Sequence, residues 1–156
     1  MYEEKLAFIQ NDFFLLLNNI SAETKASWGK MSAQQMVEHV TGFFKVSTEK
    51  IKFNLVTPEE HLPNYKEFLF SDKQFRENTK APVSVIGEEP LPIRCKSYEE
   101  AIEKLHKAVD EFVEYFKNDP LKKTMHPVFG PLNFNEWVLL HYKHVTHHLR
   151  QFGIDC

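Results

Sequence analysis

HYKHVTHHLRQF, residues 141–152, holds four of the chain's eight histidines within eight residues: His141, His144, His147 and His148. A helix advances about 100° per residue. With His144 at zero, His148 falls at about 40°, His141 at about 60° and His147 at about −60° on that wheel. Trp137 falls at about 20°, and Phe134 and Phe152 at about 80°. His144, His148 and His141 therefore share the face of the large apolar residues, His147 lies to one side, and Lys143 and Arg150 point away. The helix extends back to Asn133, whose side chain suits the N-cap, with Glu136 at the third position of a capping box. HPVFGPL, residues 126–132, holds Pro127, Gly130 and Pro131 and reads as a turn-rich lead-in. Gly153 is a natural stop.

Three further segments read as amphipathic helices. Residues 2–19 place Leu6, Ile9, Phe13, Leu16 and Leu17 at spacings of three and four. SAQQ at 32–35 is a capping box, Ser32 with Gln35, and opens a helix to about Glu49. Met36, Val40, Phe43 and Val46 form its stripe. His39 falls on that stripe, while Glu38 falls off it, about 100° away. SYEE at 97–100 opens the third helix with Ser97 and Glu100. Its apolar face runs from Ala101 to Phe116, and the charged residues opposite read as a solvated face with i,i+4 pairs. Between the second and third helices, residues 51–96 carry five prolines. Thr57 and Pro58 can open a short helix there, NYKEFLF (64–70) a second, and the rest reads as extended loop. A connection this long suits a wall or lid over a pocket. The expected fold is all-α, a four-helix bundle spanning 1–156 as one domain, with a long irregular connection between helices two and three.

The composition narrows the function classes. The 156 residues carry a net charge of −3 with both signs interspersed, which argues against nucleic acid as the main partner. The longest apolar run, FFLLL, is far below the roughly 20 residues that span a bilayer, so no membrane association is expected. The first ten residues do not have the pattern of a signal peptide. Two cysteines, Cys95 and Cys156, make no disulfide framework. A cytoplasmic location is expected.

Polar rings on two core faces need partners, because an unpaired polar group costs up to several kcal/mol to bury. His144 and His148, spaced i,i+4, put two imidazoles on one face, and His39 can supply a third from a facing helix. Three histidines with one open position is the arrangement of catalytic zinc, and nickel, iron or manganese also accept imidazole. His141, one turn before His144, is the candidate catalytic base, with a fourth ligand or a core residue as its other readings. His147 can orient a ligand or lie at the surface. Glu38, Glu136 and Gln151 are available as hydrogen-bond partners of ligating rings. His126 and His61 read as exposed loop residues, His106 as exposed on its helix, and Trp28 and Trp137 as packing. Cys95 reads as a small buried residue.

SAQQMVEHV together with HPVFGPLNFNEWVLLHYKHVTHHLRQFG resembles the DinB-like superfamily of four-helix bundles. Within it, a branch with a GKMS start to helix two and an HP.FG.L lead-in to helix four is most similar. The resemblance covers most of the chain but little of the middle segment. It implies an up-down-down-up bundle, frequent homodimers, and a divalent metal bound at His39, His144 and His148. It also implies a metal-dependent hydrolase, or a transferase using a low-molecular-weight thiol, acting on a small molecule. A non-catalytic metal- or ligand-binding bundle is the alternative, and a purely structural protein with polar core pairs is a third.

Overall fold

Why the first helix is not a single regular rod is visible at Phe8. The computed structural model, which describes residues 2–79, 82 and 89–156, starts with α1 (Tyr2–Ala7), passes through a π-helical turn (Phe8–Asp12) and continues as α2 (Phe13–Leu17). The wider turn re-registers the helix so that Ile9, Phe13, Phe14 and Leu17 are all buried. Next comes α3 (Ala33–Ser47), capped as expected: Ser32 Oγ accepts from Gln35 N at 3.1 Å, and Gln35 Oε1 accepts from Ser32 N at 2.8 Å. It packs along α5 (Tyr98–Phe116), whose Ser97 Oγ accepts from Glu100 N. The Glu100 carboxylate meets the backbone N–H of Lys96 rather than that of Ser97, so only half of this second box closes on its cap. The opposite face of α5 is exposed, with Lys104–Glu100 and Lys107–Glu111 pairs at i,i+4.

The last helix, α6 (Phe134–Gln151), carries the full Asn133/Glu136 capping box. It contacts α1, α2, α3 and the π turn, so it is central to the bundle. Trp137, Phe13, Phe44, Phe112, Phe116 and Leu149 are fully buried between these helices. The structure is mostly helical, as an all-α DinB-like bundle requires.

The hairpin differs from the sequence expectation, and the middle segment departs from it at the Thr57 cap. Residues 126–132, expected as a turn-rich lead-in, belong to an antiparallel hairpin of β1 (Thr124–His126) and β2 (Gly130–Leu132), with Met125 opposite Pro131. Three-residue strands are too short to show a period. The turn relies on Gly130 at φ +81°, where a side chain is strained and would also press on Leu62. The middle segment contains a 3-10 turn (Glu59–His61) and α4 (Leu62–Phe70), close to the two short helices expected. Thr57 does not cap the first; its hydroxyl donates to the carbonyl of Val128 at 2.8 Å and ties the segment to the hairpin. Residues 80, 81 and 83–88, within the expected extended loop, lie outside the described residues.

Anchors at both ends hold this middle segment. Val56 N donates to Pro127 O at 2.8 Å. Lys143, expected to point away from the core, is instead buried beneath it and donates to the carbonyls of Ser71 and Lys73. Glu38, off the apolar stripe of α3, is also buried. Its carboxylate accepts from the backbone N–H groups of Arg94 (2.8 Å) and Cys95 (3.2 Å) and from Gln34 Nε2. These bonds hold the carboxyl below its usual range against the opposing effect of burial.

Candidate metal centre

His39 on α3 meets His144 and His148 on α6 at the wall of a cavity of about 1360 Å³. The i,i+4 spacing sets the two α6 rings edge-to-face, centroids 4.6 Å apart, and His39 stands edge-on at 5.0 Å from each. Their Nε2 atoms converge. His144 Nε2 lies 3.1 Å from His39 Nε2 and 3.0 Å from His148 Nε2. Nitrogens about 2.0–2.1 Å from a tetrahedral ion stand roughly 3.4 Å apart, so the spacing is close to that of a three-histidine site.

Proton positions follow from the surrounding bonds. Gln151 Nε2 donates to the Trp28 carbonyl at 3.0 Å, which turns its Oε1 toward His148 Nδ1 at 2.7 Å. That nitrogen must therefore donate, leaving Nε2 of His148 with its lone pair facing the cluster. Burial drives all three rings toward the neutral form: His39 falls to about 4, and His144 and His148 lie well below the ordinary histidine value. One hydrogen on His144 Nε2 can serve only one of its two neighbours. The cluster thus has more converging lone pairs than protons to share, which suits a bound cation. These three side chains can hold a metal ion.

His141 shares the helix face but not the cluster. Its ring, 1% exposed, stacks on Phe44 at 3.8 Å and on Trp137 at 5.2 Å. Its Nε2 lies 3.2 Å from Ser47 Oγ, whose hydroxyl already donates to Phe44 O, so the imidazole is the donor. His147 packs its ring against Trp28, Phe75 and His148, and its Nδ1 has no hydrogen-bond partner among the described residues. Burial, with Arg150 nearby, lowers its pKa. Of the three candidate partners for a ligating ring, Gln151 serves, while Glu38 holds Arg94 and Cys95, and Glu136 caps α6 and pairs with Lys66.

His126 corrects the sequence reading most sharply. Expected on an exposed loop, it is only 8% exposed on β1 and lines the cavity. His61 is exposed and lines the same cavity, and His106 is exposed on α5. Cys95 is buried. Phe43, Phe53, Phe68, Phe75 and Phe129 contribute aromatic rings to a mostly apolar lining that also carries Lys30, Lys45 and Arg94. Gly29 escaped the sequence reading except within GKMS. At φ +80°, a Cβ there would lie 2.7 Å from Gln151 Nε2, so the glycine leaves room for the amide that orients His148.

A family model described as the DinB superfamily matches residues 6–152. No curated protein and no solved structure matches the chain. Among the described residues no helix is long and apolar enough to cross a membrane.

Proposed function

The chain belongs to the DinB superfamily, and from that premise we propose that residues 1–156 form one bundle domain whose His39, His144 and His148 hold a divalent metal ion in a metal-dependent enzyme. The reaction is a hydrolysis, or a transfer using a low-molecular-weight thiol, and the substrate is a small molecule with a largely apolar body. The observation that carries this reading is the convergence of three neutral imidazole Nε2 atoms at the wall of a large, mostly apolar cavity. Such an ion, when bound, acidifies a water or polarises a carbonyl. Zinc or nickel suits the all-nitrogen donor set, with iron or manganese as alternatives. His39 and His144 are only half-buried, which favours an open position toward the cavity. Gln151 orients His148, and aromatic rings together with residues of the middle segment form the cavity wall. His141 belongs to the core beside Ser47 rather than to the proton transfers. A cytoplasmic homodimer is part of the same proposal.

A non-catalytic metal- or ligand-binding bundle is the second reading. One observation favours it: the lining carboxylates Glu38 and Glu89 are both engaged, Glu38 by Arg94 and Cys95 and Glu89 by Lys30 at 2.7 Å. Neither is poised as a general base. Metal analysis of untagged protein purified under replete conditions tests the shared premise. Wild type should retain close to one divalent ion per chain, and His39→Ala and His148→Ala should each lose it. Equal metal in all three would refute the site. Turnover of ester, amide or thiol-acceptor panels by the metal-loaded protein then separates the enzyme from the binding bundle.

A further inference from the structure

His126 is a buried polar ring that the three-histidine cluster does not use. It lies across Phe43 from that cluster. The Phe43 ring stacks on His126 at 5.7 Å and stands edge-on to His39 and His144 at 5.2 Å each. Phe129 and Trp137 flank it at 5.3 and 5.6 Å. Inside the hairpin turn, His126 Nδ1 accepts the backbone N–H groups of Val128 (3.0 Å) and Phe129 (3.2 Å). An imidazole nitrogen that accepts carries a lone pair, so the hydrogen of the neutral ring is on Nε2. Burial among carbon keeps the ring neutral, with its pKa lowered to about 3. Among the described residues no acceptor meets Nε2, and the ring lines the cavity. The turn thus fixes both the tautomer and the orientation of a donor that the fold itself does not use.

We propose that His126 offers its Nε2–H to a neutral oxygen acceptor, the carbonyl of a ketone, amide or ester on an apolar body, and so orients the bound molecule relative to the three-histidine cluster. An anionic group there would stand among Phe43, Phe129 and Trp137 with only a neutral donor to offset its desolvation, so a neutral acceptor is favoured. The proposal rests on the cavity being the substrate site of the function proposed above. It does not require the metal.

The test uses full-length protein labelled with 15N-histidine, both metal-loaded and chelated. Acetophenone and ethylbenzene are the probes, two molecules of similar shape that differ in the carbonyl. Wild type should bind acetophenone about tenfold more tightly, the effect of one net hydrogen bond. The His126 Nε2 resonance should move with acetophenone and not with ethylbenzene. His126→Asn keeps an acceptor oxygen for the two backbone N–H groups and has no donor at the Nε2 position. It should lose the preference while binding ethylbenzene as wild type does. His126→Gln reaches that position with an amide and should restore the preference at a lower melting temperature. An undiminished preference in His126→Asn, a parallel loss of both probes, or no preference in wild type would each overturn the proposal. If the variants do not fold, the wild-type resonance decides: a carbonyl-specific shift supports the donor and its absence refutes it. The metal content of His126→Asn should match wild type. A wild type that binds no metal yet keeps the His126-dependent preference would sink the metal site alone.

Discussion

Replacing Gln151 with leucine removes the side-chain acceptor that holds His148 Nδ1 while nearly preserving volume. Two bonds disappear, His148 Nδ1 to Oε1 at 2.7 Å and Nε2 to the Trp28 carbonyl at 3.0 Å. Each is worth about 0.5–1.5 kcal/mol net, so the apoprotein should lose roughly 1–3 kcal/mol of stability. The effect on metal is separate. Without Oε1 the His148 hydrogen can move to Nε2, where it opposes coordination, and the ring loses its fixed orientation. Partners of this kind typically contribute 10–100-fold to metal affinity, about 1.4–2.7 kcal/mol. Zinc competition between a chromophoric chelator and untagged protein measures it directly. Gln151→Leu should bind zinc 10–100-fold more weakly, whereas Gln151→Glu, which keeps an acceptor for His148 but loses the donation to the Trp28 carbonyl, should fall between Gln151→Leu and wild type. A folded Gln151→Leu protein with zinc affinity within twofold of wild type would show that the tautomer and orientation of His148 are not set as described.

Three other outcomes follow from the same contacts. Metal-free protein should lose stability as pH falls below about 6.5, the usual histidine value, because the unfolded chain takes up protons that the buried rings do not. His39 takes them up only near pH 4 and His126 near pH 3. The loss is at most about 1.4 kcal/mol per pH unit for each ring until its folded pKa is reached, and chemical denaturation at pH 7, 6 and 5 should show it; a flat profile would contradict neutral burial. Gly29→Ala places a Cβ 2.7 Å from Gln151 Nε2 at φ +80°, so the melting temperature and zinc affinity should fall together; a drop in stability with unchanged affinity would disconnect Gly29 from the site. Thr124→Val leaves Trp137 Nε1 and the Ser47 carbonyl without the hydroxyl that now joins them at 2.8 Å each. Unfolding in urea should show a loss of roughly 2–3 kcal/mol for these buried groups, and a change under 0.5 kcal/mol would contradict their pairing.

Local rules carried the parts of the fold that are local. Ser32 with Gln35 and Asn133 with Glu136 close full capping boxes, and their bonds span only three residues. The helical wheel placed His39, His144 and His148 toward a common core because amphipathic helices bury one stripe. The same wheel placed Glu38 and Lys143 outside, and both are buried. What covers them is the middle segment, at Arg94 and Cys95 for one and at Ser71 and Lys73 for the other. That segment has little periodicity, so its docking is invisible until the chain is folded. His126 was misplaced for a related reason. A three-residue strand beside Pro127 and Gly130 looks like loop, and its burial depends on Phe43, Phe129 and Trp137. Gln151 was one of three candidate partners for the ligating rings, and the choice depends on the Trp28 carbonyl 123 residues earlier.

On the proposed function, three neutral imidazoles from α3 and α6 hold one metal ion. A crystal structure of untagged protein grown with the metal retained at purification, with anomalous data at that metal's absorption edge, tests it most directly. A single anomalous peak is expected, bonded by Nε2 of His39, His144 and His148, with Gln151 Oε1 still on His148 Nδ1 and a coordination position facing the cavity. Three rings hydrogen-bonded to one another under metal-replete conditions, with no peak between them, would contradict it.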